Sequence, residues 1–154
     1  MSRGLHIKVS LAEQSLELRE DDCLLQRYVV STSKLGPGSE EGSFKTPLGS
    51  FRVCEKFGEN HPPLTIFRSR EAVGSWHPDE PCDDDLVLTR ILRLEGLEPE
   101  NANTYDRFIY IHGTNHEDLI GTAASHGCVR MRNDDMVDLF ERVPLQTPVT
   151  IEPG

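Results

Sequence analysis

At 154 residues, with 36% apolar and 27% charged side chains, the chain is long enough to bury a core without disulfides or metal, and it reads as a single domain over 1–154. Its 26 acidic against 16 basic residues give a formal net charge of −10, which excludes nucleic acid and anionic membrane as partners, because both need a basic face. No run reaches the roughly 18 apolar residues of a membrane span. The start, MSRGLHIKVSLAEQ, has neither an apolar h-region nor a small-residue cleavage site. We therefore expect a cytoplasmic protein, or a periplasmic one if an export signal has been removed.

Leu5, Ile7 and Val9 alternate, as do Leu16 and Leu18, then Leu25, Tyr28 and Val30, with polar turns at 12–14 and 20–22. Period-two apolar runs with short connections predict a β-meander. Residues 33–49, SKLGPGSEEGSFKTPLG, form a loop too long for a hairpin turn, of the kind that lines a site. Strand character resumes at Phe51 and Val53.

Prolines at 62, 63, 78 and 81 argue against regular structure through much of 58–85. The acids at 79–85 read as a solvated loop, and Trp76 as either a lid aromatic or a core anchor. Leu86 to Leu94 predicts a strand buried on both faces, and Arg107 to Ile111 a strand that delivers His112. A helix is expected soon after Cys128, with Asn133 as N-cap, Met136, Val137, Leu139 and Phe140 facing the core, and Pro144 as its stop. Residues 148–151 predict a last short strand. The tally is about eight strands and one helix, a mainly β domain.

Cys23, Cys54, Cys82 and Cys128 are widely spaced. Cys23 and Cys54 read as small buried hydrophobes, and Cys82 as a loop thiol. Cys128 differs, because His112, His116 and His126 share its segment, framed by Gly113, Gly121 and Gly127. A thiol is strongly nucleophilic once deprotonated, and imidazole titrates near neutrality, so either His112 or His126 could serve as the base. Backbone N–H groups at Gly127 and Cys128 could meet a developing oxyanion. The same four side chains could ligate zinc, but they have neither CxxC nor HExxH spacing, so no metal and no cofactor is expected. Arg130 reads equally as a grip for a substrate carboxylate and as a salt-bridge partner for one of the acids.

HGT at 112–114 followed by SHGCVRM at 125–131 resembles the L,D-transpeptidase catalytic domain family, and so do KTPLGSFRV at 45–53, RFIYIHGT at 107–114, NDDMVDLFERV at 133–143 and the opening LHIKVSLAEQSLELRE. The resemblance spans nearly the whole chain. It implies a β-sandwich or barrel with one helix packed near the nucleophile loop. It also implies a cysteine acyl-enzyme that cleaves the bond before the terminal D-alanine of a murein tetrapeptide stem.

By position, Cys128 is then the nucleophile and His112 its base. The Gly113 carbonyl orients His112, His126 and Gly127 frame the thiol, and the N–H groups at 126–128 form the oxyanion hole. Arg130, Ser125, Thr46 and Gly49 would be substrate-binding positions. With a cytoplasmic location, the expected activity is a soluble L,D-carboxypeptidase of peptidoglycan recycling acting on muropeptides. The alternatives are a 3→3 cross-linking transpeptidase of the envelope and, from another class, a zinc-stabilised or inactive binding module.

Overall fold

The computed structural model describes residues 4–80 and 82–154. The predicted meander is there: β1 (Leu5–Ser10), β2 (Ser15–Glu20) and β3 (Cys23–Ser31) pair antiparallel in sequence order. Its alternation is structural, since Ile7, Val9, Leu16, Leu18 and Val30 are fully buried while Lys8, Glu17, Arg19 and Val29 between or beside them are not.

The remaining strands are β4 (Gly49–Phe57), β5 (Thr65–Arg68), β6 (Glu71–Ser75), β7 (Val87–Gly96), β8 (Tyr110–Gly113), β9 (Val129–Met131) and β10 (Pro148–Glu152). The sheet runs β4-β10-β1-β2-β3-β9-β8-β7 and closes on itself through the β4–β7 pairing. The fold is therefore the mainly β barrel expected, and closure leaves the barrel strands no free edge. Two of its pairs, β1–β10 and β8–β9, are parallel.

Two sequence expectations change and one is refined. Much of the described part of 58–85 lies outside strands, as expected, but β5 and β6 form a hairpin within it, paired onto β7. The four prolines flank 64–75 and none falls inside it. Its turn residues Ser69 and Arg70 both have positive φ, 51° and 68°, as the twist of a two-residue hairpin requires. Strand β9 also intervenes between Cys128 and the helix. Finally, Cys23 is exposed and Cys54 only half-buried, so neither is a core residue.

The single α-helix among the described residues, α1 (Asn133–Arg142), buries Met136, Leu139 and Phe140 against the barrel, while Val137 is only half-buried. Lys56 Nζ donates to the carbonyls of Phe140 and Val143 at 2.8 and 2.6 Å, closing the helix C-terminus with a cation. That helix is too short and polar to cross a membrane.

Candidate active site

Strands β8 and β9 build the site. They run in parallel register, Ile111 beside Val129 and His112 beside Arg130. Ile111 and Val129 point into the barrel and are fully buried, so strand alternation turns His112, Arg130 and Cys128 to the outer face together. The base candidate and the nucleophile candidate thus stand diagonally on one surface, although 16 positions separate them in the chain. Tyr110, Phe67 and Ile91 make a small apolar cluster on this face, and Cys128 packs against it.

His112 is 2% exposed and its Nδ1 meets the carbonyl of Gly113 at 2.6 Å. A carbonyl only accepts, so Nδ1 carries the hydrogen and Nε2 is left with a free lone pair. Burial holds the imidazole below its ordinary pKa, against the opposing charge of Asp85 and the Gly113 hydrogen bond; Arg130 adds to the lowering. The thiol is pushed the other way, up to about 11, chiefly by burial and against the Tyr110 N–H and the charges of Arg130 and Arg107. At neutral pH both partners are therefore uncharged.

The sulfur accepts from Tyr110 N–H at 3.3 Å and donates to the Phe108 carbonyl at 3.4 Å. The thiol is turned towards the start of β8, and no hydrogen bond joins it to His112.

The loop at 125–128, which carries the nucleophile candidate Cys128, is held from below. Gly127 has φ +120°, and a β-carbon there would come within 3.3 Å of the Lys45 carbonyl. Its N–H leans on Ser125 Oγ at 3.3 Å, and that hydroxyl donates to the Cys128 carbonyl at 2.6 Å. With the Gly127 N–H engaged, the N–H groups of His126 and Cys128 are the remaining oxyanion candidates of the three.

The 33–49 loop does line the site. Thr46 Oγ1 donates to the Gly127 carbonyl at 3.0 Å, and Phe44 meets the His126 ring edge-on. Arg107 anchors the loop by donating to the carbonyls of Lys45 and Gly38.

The positions expected to bind substrate have partners within the protein. Thr46 and Ser125 are buried, and their hydroxyls are committed to the nucleophile loop. Gly49 packs against Glu98 and Asn101, where β4 begins, because a side chain there would strike the Glu98 carboxylate. His116 turns to the Asp84 carbonyl and His126 to Asp85, so the histidines of the segment face different partners, and no group of three metal-ligating side chains is gathered among the described residues.

Other residues matter that the sequence reading passed over. Asp85 Oδ2 lies 2.9 Å from an Arg130 guanidinium nitrogen and 3.3 Å from His126 Nδ1. Read as one of a solvated acidic run, it carried no distinguishing mark except its place next to the apolar start of β7. Asn133 is not the N-cap but the first helical residue. Its amide donates to the Thr114 carbonyl and to Glu117, whose carboxylate also takes the Asn133 N–H at 2.7 Å. Its Oδ1 accepts from Thr89 Oγ1 at 2.5 Å. Thr89 sits in the β7 bulge with φ +77°, a costly conformation for a β-branched residue, and such strain clusters at functional sites.

The family model described as the L,D-transpeptidase catalytic domain, YkuD, matches residues 4–151. The chain belongs to this family. It is 54% identical to YkuD of Bacillus subtilis (strain 168) over 95% of this chain and 65% of that protein. With YkuD of Bacillus licheniformis the identity is 51%, over 96% of this chain and 65% of the other.

Among solved structures, an L,D-transpeptidase from Mycobacterium smegmatis superposes with TM-score 0.62 at 17% identity, covering 97% of this chain and 58% of that one. L,D-transpeptidase 3 from Mycobacterium tuberculosis, in complex with a faropenem-derived adduct, gives 0.62 at 16%, covering 97% and 60%. These two bear on the fold alone. The chain spans a little under two thirds of each of these four relatives. In this L,D-transpeptidase domain, HGT closes β8 and SHGC leads into its parallel partner β9.

Proposed function

We propose that the domain catalyses cysteine acyl transfer on the tetrapeptide stems of peptidoglycan. The observation that carries this reading is His112, locked by the Gly113 carbonyl in the tautomer that leaves Nε2 free, on the same outer face as Cys128. Turning the thiol about its Cα–Cβ bond, away from Phe108, is the movement that brings the two together.

Sγ attacks the carbonyl before the terminal D-alanine, and its proton passes to His112 Nε2. The oxyanion takes hydrogen bonds from backbone N–H groups of the nucleophile loop. His112 returns the proton to the departing amine, so D-alanine leaves and a thioester remains. An acceptor then attacks: an amine gives a 3→3 cross-link, and water gives the tripeptide.

Incubation with disaccharide-tetrapeptide, followed by mass spectrometry, tests the reading. Tripeptide with free D-alanine assigns an L,D-carboxypeptidase, whereas dimers or exchange of the terminal residue assign a transpeptidase. No product, together with no mass addition at Cys128 from imipenem, would overturn the proposal. Imipenem is chosen because a solved relative is described in complex with it.

A further inference from the structure

The proton-transfer step proposed above sets an electrostatic problem that the site must solve. When His112 takes the thiol proton it becomes a buried cation, and its strand neighbour Arg130 is already one. Arg130 is 3% exposed, and its Nε is buried with no partner. Two adjacent buried cations repel strongly in a low-dielectric setting. The charged groups that act on His112 are Arg130 on β9 and Asp85 on the loop before β7; Cys128 shares its face of the strand pair, His126 reaches the cluster through Asp85, and Glu117 lies beyond Asn133. Of these, Asp85 is the carboxylate joined to the cluster.

The loop that carries Asp85 is fastened for that task. Asn115, three residues beyond His112, donates from Nδ2 to the carbonyls of Cys82 and Asp84, and its Oδ1 accepts from Leu86 N–H. His116 holds the Asp84 carbonyl as well. The segment following the base thus grips both sides of Asp85 and fixes its backbone.

We propose that Asp85 is a positioning residue for acyl transfer: it holds Arg130 and cancels its charge, so that His112 can carry the proton taken from Cys128. The inference rests on the acyl-transfer reading for its purpose, but its electrostatic content can be measured without turnover. Asp85 touches neither the thiol nor the imidazole through a hydrogen bond, so it acts through Arg130 and through the field at His112. Burial would raise the Asp85 carboxyl, but the charge of His112 whenever that ring is protonated, the charge of Arg130 and the hydrogen bonds from Arg130 and His126 outweigh it and hold it below its ordinary value.

The test follows the His112 ring signals by NMR across pH 4 to 9 in the parent, Asp85→Asn, Asp85→Glu, Arg130→Gln and the double variant Asp85→Asn/Arg130→Gln. Asp85→Asn is expected to lower the His112 midpoint by about one pH unit or more. Asp85→Glu should hold the midpoint near the parent's, and the double variant should bring it back up, since both charges are then gone. Imipenem acylation, followed by intact mass, should slow about tenfold in Asp85→Asn, with its acid limb moving in step with the NMR midpoint.

An unchanged midpoint in folded Asp85→Asn overturns the inference. If that variant does not fold, failure of Asp85→Glu to keep the parent midpoint, or of the double variant to differ from Arg130→Gln alone, does the same. The expected midpoints in a parent that is never acylated would support the counter-ion and remove the proposed activity, so the two readings fail separately.

Discussion

Thr46 Oγ1 donates to the Gly127 carbonyl across 81 positions of chain, and the same oxygen accepts the Ser33 N–H. One buried hydroxyl thus ties the loop at 33–49 to the residue before the nucleophile. Thr46→Val keeps the shape and strands two buried backbone groups, at about 1–3 kcal/mol each. The expected outcome is a lower melting temperature together with a several-fold slower acylation of Cys128 by imipenem. Thr46→Ser, which keeps the hydroxyl, should restore most of both. A valine variant that acylates at the parental rate would leave Thr46 a purely structural residue.

The same residue shows how far the sequence could be read. TPLG was recognisable as a motif, but a motif does not say which groups its threonine touches, and only the fold brings its hydroxyl to Ser33 and Gly127. The meander was legible because its strands are neighbours in sequence and their alternation is visible. The parallel β8–β9 pair and the β4–β7 closure were not, because they depend on pairings between distant segments. The β5–β6 hairpin was hidden by the prolines around it and by Ser69 and Arg70, which adopt a turn usually marked by Asn or Gly. Asp85 was hidden among like neighbours: its partner Arg130 is 45 positions away.

Cys128→Ala and His112→Ala separate chemistry from support. Cys128 is partly exposed and makes only two weak sulfur contacts, so its truncation should abolish acylation while changing stability by less than about 1.5 kcal/mol. His112→Ala should be nearly as damaging to acylation. If it were silent, His126 would have to be the base despite its contact with Asp85. Intact mass after incubation with imipenem and a thermal melt provide both readings.

Asn133 joins α1 to the strand that ends in Gly113. Replacing it by Ala leaves Thr114 O without its donor and the Thr89 hydroxyl without its acceptor, and reduces the hold on Glu117 to the backbone N–H of residue 133. A loss of about 2–4 kcal/mol is expected in denaturant unfolding, from several stranded groups at once. Glu117→Gln removes the charge at the helix N-terminus but keeps an acceptor there, and should cost less, of the order of 1 kcal/mol. Equal losses from the two variants would remove Asn133 as the centre of this network.

Stability should fall in mild acid because of His112. Its folded-state pKa lies below the unfolded value of about 6.5. Protonation therefore favours the unfolded chain, and the contribution of the neutral ring is fully present above that value and is lost as pH falls through the folded one. Denaturant midpoints measured from pH 7.5 to 4.5 should decline over this window in the parent and decline less steeply in His112→Gln. Parallel curves would mean that the ring is not buried in its neutral form.

The resting thiol carries the last prediction. A preformed thiolate–imidazolium pair would require the cysteine to be depressed and the histidine raised, yet here burial moves the thiol up to about 11 and the imidazole down. Iodoacetamide, which reacts with the thiolate, should therefore alkylate Cys128 slowly at pH 7, with a rate that climbs past the ordinary thiol value of about 8.5 without levelling off. Acylation should behave differently, because His112 removes the proton during attack: its rate should already be near its plateau at neutral pH. Alkylation that is fast and flat from pH 6 upward would show an ion pair in the free enzyme and would overturn the general-base account. The other three cysteines must be replaced by serine or resolved by peptide mapping, so that only Cys128 is counted.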